Sequence, residues 1–588
     1  MTAPFSPRHL LAALVCVALP IGALAAFGNH PFAFGSVKEP RTDGDRLPGV
    51  DPITTAGISV GPFEPGRPPS STDIDTLKLG LIALGEKYLA AARATRDSLP
   101  ADSLDRRILT WAIAMNGADG MSSREIAATL PDLAGWPGMA TLRNNGERAL
   151  YREDPEPAAV VQAFAGGMPQ TLQGARILAR AHVALGNTAA AQAALSAIWR
   201  AEKLDDTSEA AVIKEFGSLL PAADHRARME KMLYLERARS AARVATLAGA
   251  PALNAAWAAV IRGDKAAGKL LDQVPEAERG AGYVFAKARF LRRAKKYTES
   301  AAVMLTAPTD RESLVDPDAW WVERRALSRE LLDLGDVNSA YRLAAAHAAE
   351  SPALAVDAEF HAGWYALRGL KDPDRAAGHF SKIAEIAEGS TSRARAYYWL
   401  GRAAEAGGPG ASKAYYQKAA SYGTAFYGQL AAAKLGRGAI ALGYPEPSAA
   451  DRRNFHSREA VRAIKRIEEA GFAPRSDMLY RDLAQQLTSP GELALLAAMA
   501  EGRGDHFLAL RVGKIAAARG LAIGSLAHPT GAIPPSARVS DAGMALAYAI
   551  ARQESEFNVG AVSGAGARGL LQLLPATAKD MARKAGLP

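Results

Sequence analysis

From about Asp73 to Leu526 apolar residues recur three and four positions apart, and the strict alternation of a half-buried strand hardly appears. This predicts a long run of amphipathic helices rich in Ala, Leu, Arg and Glu. Breaks of the type helix, Gly, polar residue punctuate it. Gln173 to Asn187 reads as a helix ending at Gly186, and similar breaks are read at Leu334-Gly335-Asp336, Leu367-Arg368-Gly369-Leu370 and Leu400-Gly401-Arg402. The helix pairs recur every 30 to 40 residues or so, a spacing that predicts a repeat array. Hydrophobic residues make up 49% of the chain, which supplies ample core, and the helical stretch is too long for one compact bundle.

The predicted fold class is therefore all-α: an irregular α-superhelical solenoid over 73–436, a small helical linker domain over 437–530, and the start of a further domain over 531–588. Tyr397-Tyr398-Trp399-Leu400-Gly401, Ala414-Tyr415-Tyr416 and Ala425-Phe426-Tyr427-Gly428 resemble a tetratricopeptide-like unit, with the aromatics read as inter-helix core. In the linker stretch Val461 to Ile467 keeps the helical period. Ala527-His528-Pro529-Thr530-Gly531-Ala532-Ile533-Pro534-Pro535 then breaks it, a boundary on composition alone. Repeat arrays bury their core between neighbours, so Asp73 to Gly436 is expected to fold without the region that follows.

The first residues change the picture of where the chain works. Arg8 and His9 precede the apolar run Leu10 to Leu19, short for a membrane span, and Ala23-Leu24-Ala25 offers small residues for cleavage. Residues 1–25 read as a signal peptide, with an uncleaved anchor helix as the alternative, and the mature chain is expected to start near Ala26 in the periplasm. Residues 26–72, rich in Pro and Gly, read as a linker. Cys16 is the only cysteine, so disulfides play no part; Leu14-Val15 before it argues against a lipoprotein. The net charge is +9. It suits an acidic polymer, whereas nucleic acid is excluded for an exported chain without an aromatic-interleaved basic patch.

Candidate chemistry concentrates near the end of the chain. In a helix from about Asp541, Met544, Ala547, Tyr548 and Ala551 form an apolar stripe that continues to Glu554, with Ile550, Ala551 and Phe557 as its neighbours. Such a carboxyl is costly to ionise and suits a general acid. Glu556, about 200° further round, is expected to face water. A Gly-rich turn follows, with Gly564, Gly566 and Gly569, and Pro575 with Thr577 opens another helix. Ser563 and Gln572 are the polar residues of this wall; singly, each reads as easily as a turn former or a surface amide. Ordinary glycosidases use two carboxylates, and no second acid here has a comparable setting.

Glu554-Ser555, Ser563, Gly564-Ala565, Gly569-Leu570-Leu571-Gln572 and Pro575-Ala576-Thr577-Ala578 resemble the soluble lytic transglycosylases of the goose-lysozyme-like, glycoside hydrolase 23 type. The resemblance implies a lysozyme-like catalytic domain, with Glu554 as acid/base and Ser555, Ser563, Gln572 and Leu574 lining the sugar cleft; Leu571 and Leu574 stand where Met is common. It implies peptidoglycan glycan strands as substrate, cleavage of the MurNAc–GlcNAc β-1,4 bond and 1,6-anhydromuramoyl ends, with no cofactor and no metal. It also admits other cell-wall enzymes as partners, and peripheral contact with the cell wall or outer membrane. More loosely, Trp136-Pro137 with Leu142-Arg143-Asn144-Asn145, Asp224-His225-Arg226-Ala227-Arg228 and Trp320-Trp321 resemble the family's solenoid, which implies a ring or horseshoe that grips strands. Asp224 and His225 are expected as a capping pair rather than metal ligands.

Only 34 residues follow Glu554 (588 − 554), whereas the family's domain continues into helices carrying a Tyr-containing motif. The chain is therefore expected to be an incomplete, inactive fragment. Two further readings stay open beside the lytic transglycosylase: a non-catalytic helical-repeat scaffold that binds cell wall or partner proteins, and a muramidase that hydrolyses with water.

Overall fold

A computed structural model describes residues 71–117, 121–438, 442–534 and 541–586. The signal peptide expected at 1–25 and nearly all of the linker expected at 26–72 lie outside them. The described residues are helical throughout, with no strand; the one departure is a pair of isolated bridges, Val562 with Arg568 and Arg568 with Leu573. Among the described residues no helix is long and apolar enough to cross a membrane.

Packing gathers the described residues into two compact units that do not follow chain order. One holds 188–438; the other joins 71–187 to 442–586.

In the first unit each helix packs chiefly on the next and the next but one, as a repeat array should. Left-handed residues at Gly335, Lys371 and Gly407 mark the ends of alternate helices, 36 residues apart (371 − 335 and 407 − 371). One of the breaks read from the sequence is not a break. Gly401 lies inside the helix Ser390–Glu405, where a Cβ would sit 2.6 Å from the Tyr416 ring. The break at Leu367 to Leu370 stands: Gly369 lies in the π-helical last turn, Tyr365–Leu370, with which the helix Pro352–Trp364 ends, and a Cβ there would meet Val337. These glycines serve close helix approach, which a sequence reader cannot tell from a helix stop. Most of the aromatics are core as expected, Tyr398 and Tyr416 being buried with ring centroids 5.7 Å apart, but Phe426 is exposed.

Asp224 and His225 do not cap their helix, Ala222–Tyr234. The fully buried Asp224 carboxylate instead accepts from Ser196 Oγ at 2.5 Å and Arg200 Nε at 2.7 Å. His225 Nδ1 accepts from Trp199 Nε1 at 3.2 Å, which leaves Nε2 to donate to the Gly217 carbonyl at 3.0 Å. Arg228, also fully buried, lies 4.2 Å over the Trp199 ring and pairs with Glu209. The motif is thus a clamp from one repeat onto the preceding one. The pair Trp320 and Trp321 is likewise core, its indoles donating to Tyr234 Oη at 2.8 Å and Asp357 at 2.9 Å.

The second unit has a core that neither end of the chain could build alone. Leu109, Trp111 and Ile113 share one apolar cluster with Ile464, Ile467 and Leu496. Polar contacts seal its rim. Trp136 Nε1 donates to Glu459 at 2.9 Å, Arg107 pairs with the same carboxylate, and Arg466 Nε reaches Asp105 at 3.0 Å. The Trp-Pro segment of the sequence reading belongs to this seam, since Pro137 accepts from Trp111 Nε1 at 2.9 Å.

Candidate active site

The helix Asp541–Glu554 is seated on this second unit by its buried face. Ala551 and Phe557 cluster with Leu510 of the helix His506–Ala518 and with Ala532, and Tyr548 packs against them. The Tyr548 hydroxyl donates to the Thr530 carbonyl and accepts from Ile533 N at 3.3 Å, and Arg552 Nε donates to the Ala527 carbonyl at 3.3 Å. Burial pushes both the Arg552 guanidinium and the His528 imidazole down, and Arg552 adds to the shift of His528.

The buried stripe, however, ends on Ser555 and not on Glu554. At 100° per residue Glu554 lies roughly 90° from the centre of that stripe. It is exposed, in line with Leu546 and Ile550 at i, i+4 and i+8; these two apolar residues are themselves 61% and 41% exposed. The expectation that the protein desolvates Glu554 is therefore corrected. Among the described residues the carboxylate stands at the end of an exposed apolar strip, and whatever covers that strip would remove its water.

Glu556, expected to face water, is instead half-buried. The helix stops at Glu554, and Glu556 and Phe557 take left-handed φ of 53° and 67°, so the helical phase no longer applies. The Glu556 carboxylate turns onto the preceding helix, where Arg511 Nη1 reaches it at 3.1 Å and Lys514 pairs with it. Arg511 and Lys514 are missing from the sequence reading because no local spacing links residues 45 and 42 positions away.

Ser555 is buried, and its hydroxyl donates to the Leu570 carbonyl at 2.8 Å, which pins the following loop to the helix end. Within that loop Ser563 Oγ accepts from Ala567 N at 3.0 Å. Gln572, at φ 47°, donates from Nε2 to the carbonyls of Ala561 at 3.1 Å and Gly569 at 3.0 Å. Leu574 is exposed and precedes the helix Pro575–Lys584. The structure thus brings Ser555, Ser563 and Gln572 into one hydrogen-bonded loop behind Glu554. Around it Val559, Val562, Leu571, Leu573, Leu574 and Met581 are exposed. Among the described residues no cluster of His, Cys, Asp or Glu has the grouping of a metal site.

Residues 540–587 match the family described as "Transglycosylase SLT domain". Among solved structures, an inactive mutant of the lytic transglycosylase Slt from Pseudomonas aeruginosa is similar, with a TM-score of 0.60, 20% identity, and coverage of 87% of this chain and 82% of that one. The 70 kDa soluble lytic transglycosylase of Escherichia coli is similar with a TM-score of 0.54, 15% identity, and coverage of 88% and 82%. At these identities the likeness is one of fold. No curated protein matches the chain. Residues 540–587 thus match the Transglycosylase SLT domain family, and the all-α body that precedes them is similar in fold to these two soluble lytic transglycosylases.

Proposed function

We propose that the protein is an exported peptidoglycan lytic transglycosylase that works in the periplasm on glycan strands, in turnover or remodelling of the wall, with Glu554 as its acid/base. One observation carries the reading: within the matched segment, Glu554 ends an exposed strip with Leu546 and Ile550, with no internal partner among the described residues. A sugar ring laid on that strip would exclude water from the carboxyl, which favours its neutral, proton-donating form. Glu554 then gives its proton to the bridging oxygen as the C1–O bond of muramic acid breaks. The resulting carboxylate takes the proton of the C6 hydroxyl as that oxygen bonds to C1, which closes a 1,6-anhydro ring, regenerates the acid and consumes no water.

The loop supplies the wall of the cleft. Ser555 holds it to the helix, Ser563 and Gln572 shape it, and Leu574 offers apolar surface to a sugar face. The Gln572 Nε2 is committed to the backbone, which leaves its carbonyl oxygen for a sugar hydroxyl. The basic chain, at +9, suits strands whose stem peptides carry carboxylates.

The test is Glu554→Gln in the full-length protein acting on purified sacculi. The amide keeps size and hydrogen bonding but exchanges no proton, so release of anhydromuropeptides should fall roughly a hundredfold to ten-thousandfold. The Pseudomonas aeruginosa relative is itself described as an inactive mutant. Unchanged cutting by the variant would remove Glu554 from the reaction. Reducing muramic ends from the wild type would make the enzyme a hydrolase. Binding of sacculi without cutting by the wild type would favour the scaffold reading.

A further inference from the structure

Directly after Glu554 the backbone does something unfavourable twice. Glu556 and Phe557 both sit at left-handed φ, 53° and 67°, a conformation that costs non-glycine residues free energy and persists only where the surroundings enforce it. Two sets of contacts enforce it here. The Phe557 ring is buried against Leu510, Ala532, Ala551 and Tyr548. The Glu556 carboxylate is gripped by Arg511 and Lys514, which project from the helix His506–Ala518 one turn apart.

That helix is a firm base. Gly513, between the two cations, lets it approach the turn at Leu526 and Ala527 so closely that a Cβ would lie 2.7 Å from Ala527 Cα. Arg552 donates to the Ala527 carbonyl at 3.3 Å, so the same turn also receives the helix that bears Glu554. The last turn of that helix is therefore held on one side by Arg552 and on the other by Glu556, two residues either side of Glu554.

We infer that Glu556 is a positioning residue: its ion pair with Arg511 and Lys514 sets the direction of the Glu554 carboxyl, coupling the helical linker to the chemistry. The inference rests on Glu554 being the acid/base. A displacement of the order of 1 Å at a reacting group can cost about a hundredfold in rate. Partial release of one of two tethers should cost less.

The experiment compares three variants of the full-length protein on purified sacculi, with kcat and KM measured separately. Glu556→Gln, and separately Arg511→Gln with Lys514→Gln, should each lower kcat roughly tenfold to a hundredfold. KM should stay within about twofold and the melting midpoint close to wild type, since the strip that takes the sugar is untouched. The second variant leaves the catalytic segment's own sequence intact, so it separates positioning from a local folding defect. The charge-reversed set Glu556→Lys, Arg511→Glu and Lys514→Glu should recover much of the lost kcat. If Glu556→Gln and the double variant cut at the wild-type rate while Glu554→Gln is dead, the positioning role is refuted and the acid/base assignment stands. If Glu554→Gln cuts normally, the assignment beneath the inference falls first.

Discussion

The helices between Thr188 and Lys434 and those of the second unit are made of similar residues, yet they hold together in opposite ways. In the repeats, clamps such as Asp224 to Ser196 and Arg200 reach back one helix pair, over 28 and 24 residues. In the second unit the seam from Trp136 to Glu459 spans 323 residues, and that from Asp105 to Arg466 spans 361. A repeat array can lose a distant partner and keep its local core, whereas a core shared by two distant segments forms only when both are present. The candidate catalytic segment is mounted on the second kind of structure, through Leu510, Arg511 and Lys514.

The largest effect that would break this comparison is removal of residues 442 onward. A fragment covering 188–438 should still show strongly helical circular dichroism and a cooperative melt. A fragment covering 73–436 should contain, in addition, a non-cooperative part from the first helices, whose partners Ile464, Ile467 and Leu496 are gone. A single cooperative transition of the longer fragment would show that those helices belong to the array after all.

Next in size is Asp105→Ala. The pair it forms with Arg466 is nearly buried, with side chains 8% and 11% exposed, and removing one partner of such a pair costs about 3 kcal/mol. Denaturant unfolding should register that loss in the second unit while leaving the repeat unit unchanged. Gly401→Val tests the other side. The added methyls would strike Tyr416, and overpacking of this kind costs about 1–3 kcal/mol, confined to the repeats.

Acidification should weaken the repeat unit more gently. Burial pushes the His361 imidazole below its ordinary value of 6.5, so it charges more readily when unfolded. For Glu359 burial pushes upward, but hydrogen bonds from His347 and His379 win and hold its carboxyl far below the ordinary 4.5. Both shifts are depressions, so both contribute stability that is present above the unfolded-state values and is lost as pH falls. The repeat unit should therefore weaken first below 6.5 through His361, then below 4.5 through Glu359. Melting of the 188–438 fragment across that range, with Glu359→Gln flattening the lower part of the curve, checks the sign.

The smallest effect on stability belongs to the exposed strip. Leu546→Ser with Ile550→Ser should shift unfolding by no more than about 0.5 kcal/mol, because neither side chain is in a core. Cutting of sacculi should nevertheless fall, through KM, because the sugar loses its apolar floor. Equal activity would remove the strip from the substrate path.

The helical class, the repeat character and the segment that carries the candidate chemistry are all local patterns. Periods of 3.6 residues, glycines near helix ends and a run of motif residues over some twenty positions survive without any knowledge of the fold. Phase was legible only approximately. The stripe through Met544, Tyr548 and Ala551 leads on to Ser555, and a reading that is one residue off assigns the buried place to Glu554. Glu556 could not be placed at all, because the helix ends before it and its partners lie 42 and 45 residues back. Gly401 looks like a helix stop until its packing partner, Tyr416, is known. Sequence alone thus determined which elements form and where the candidate chemistry lies, because those depend on neighbours along the chain. Tertiary structure decided which face of the Glu554 helix is open, what grips its end, and which distant helices share a core, because each of these depends on contacts for which loop closure leaves no local trace.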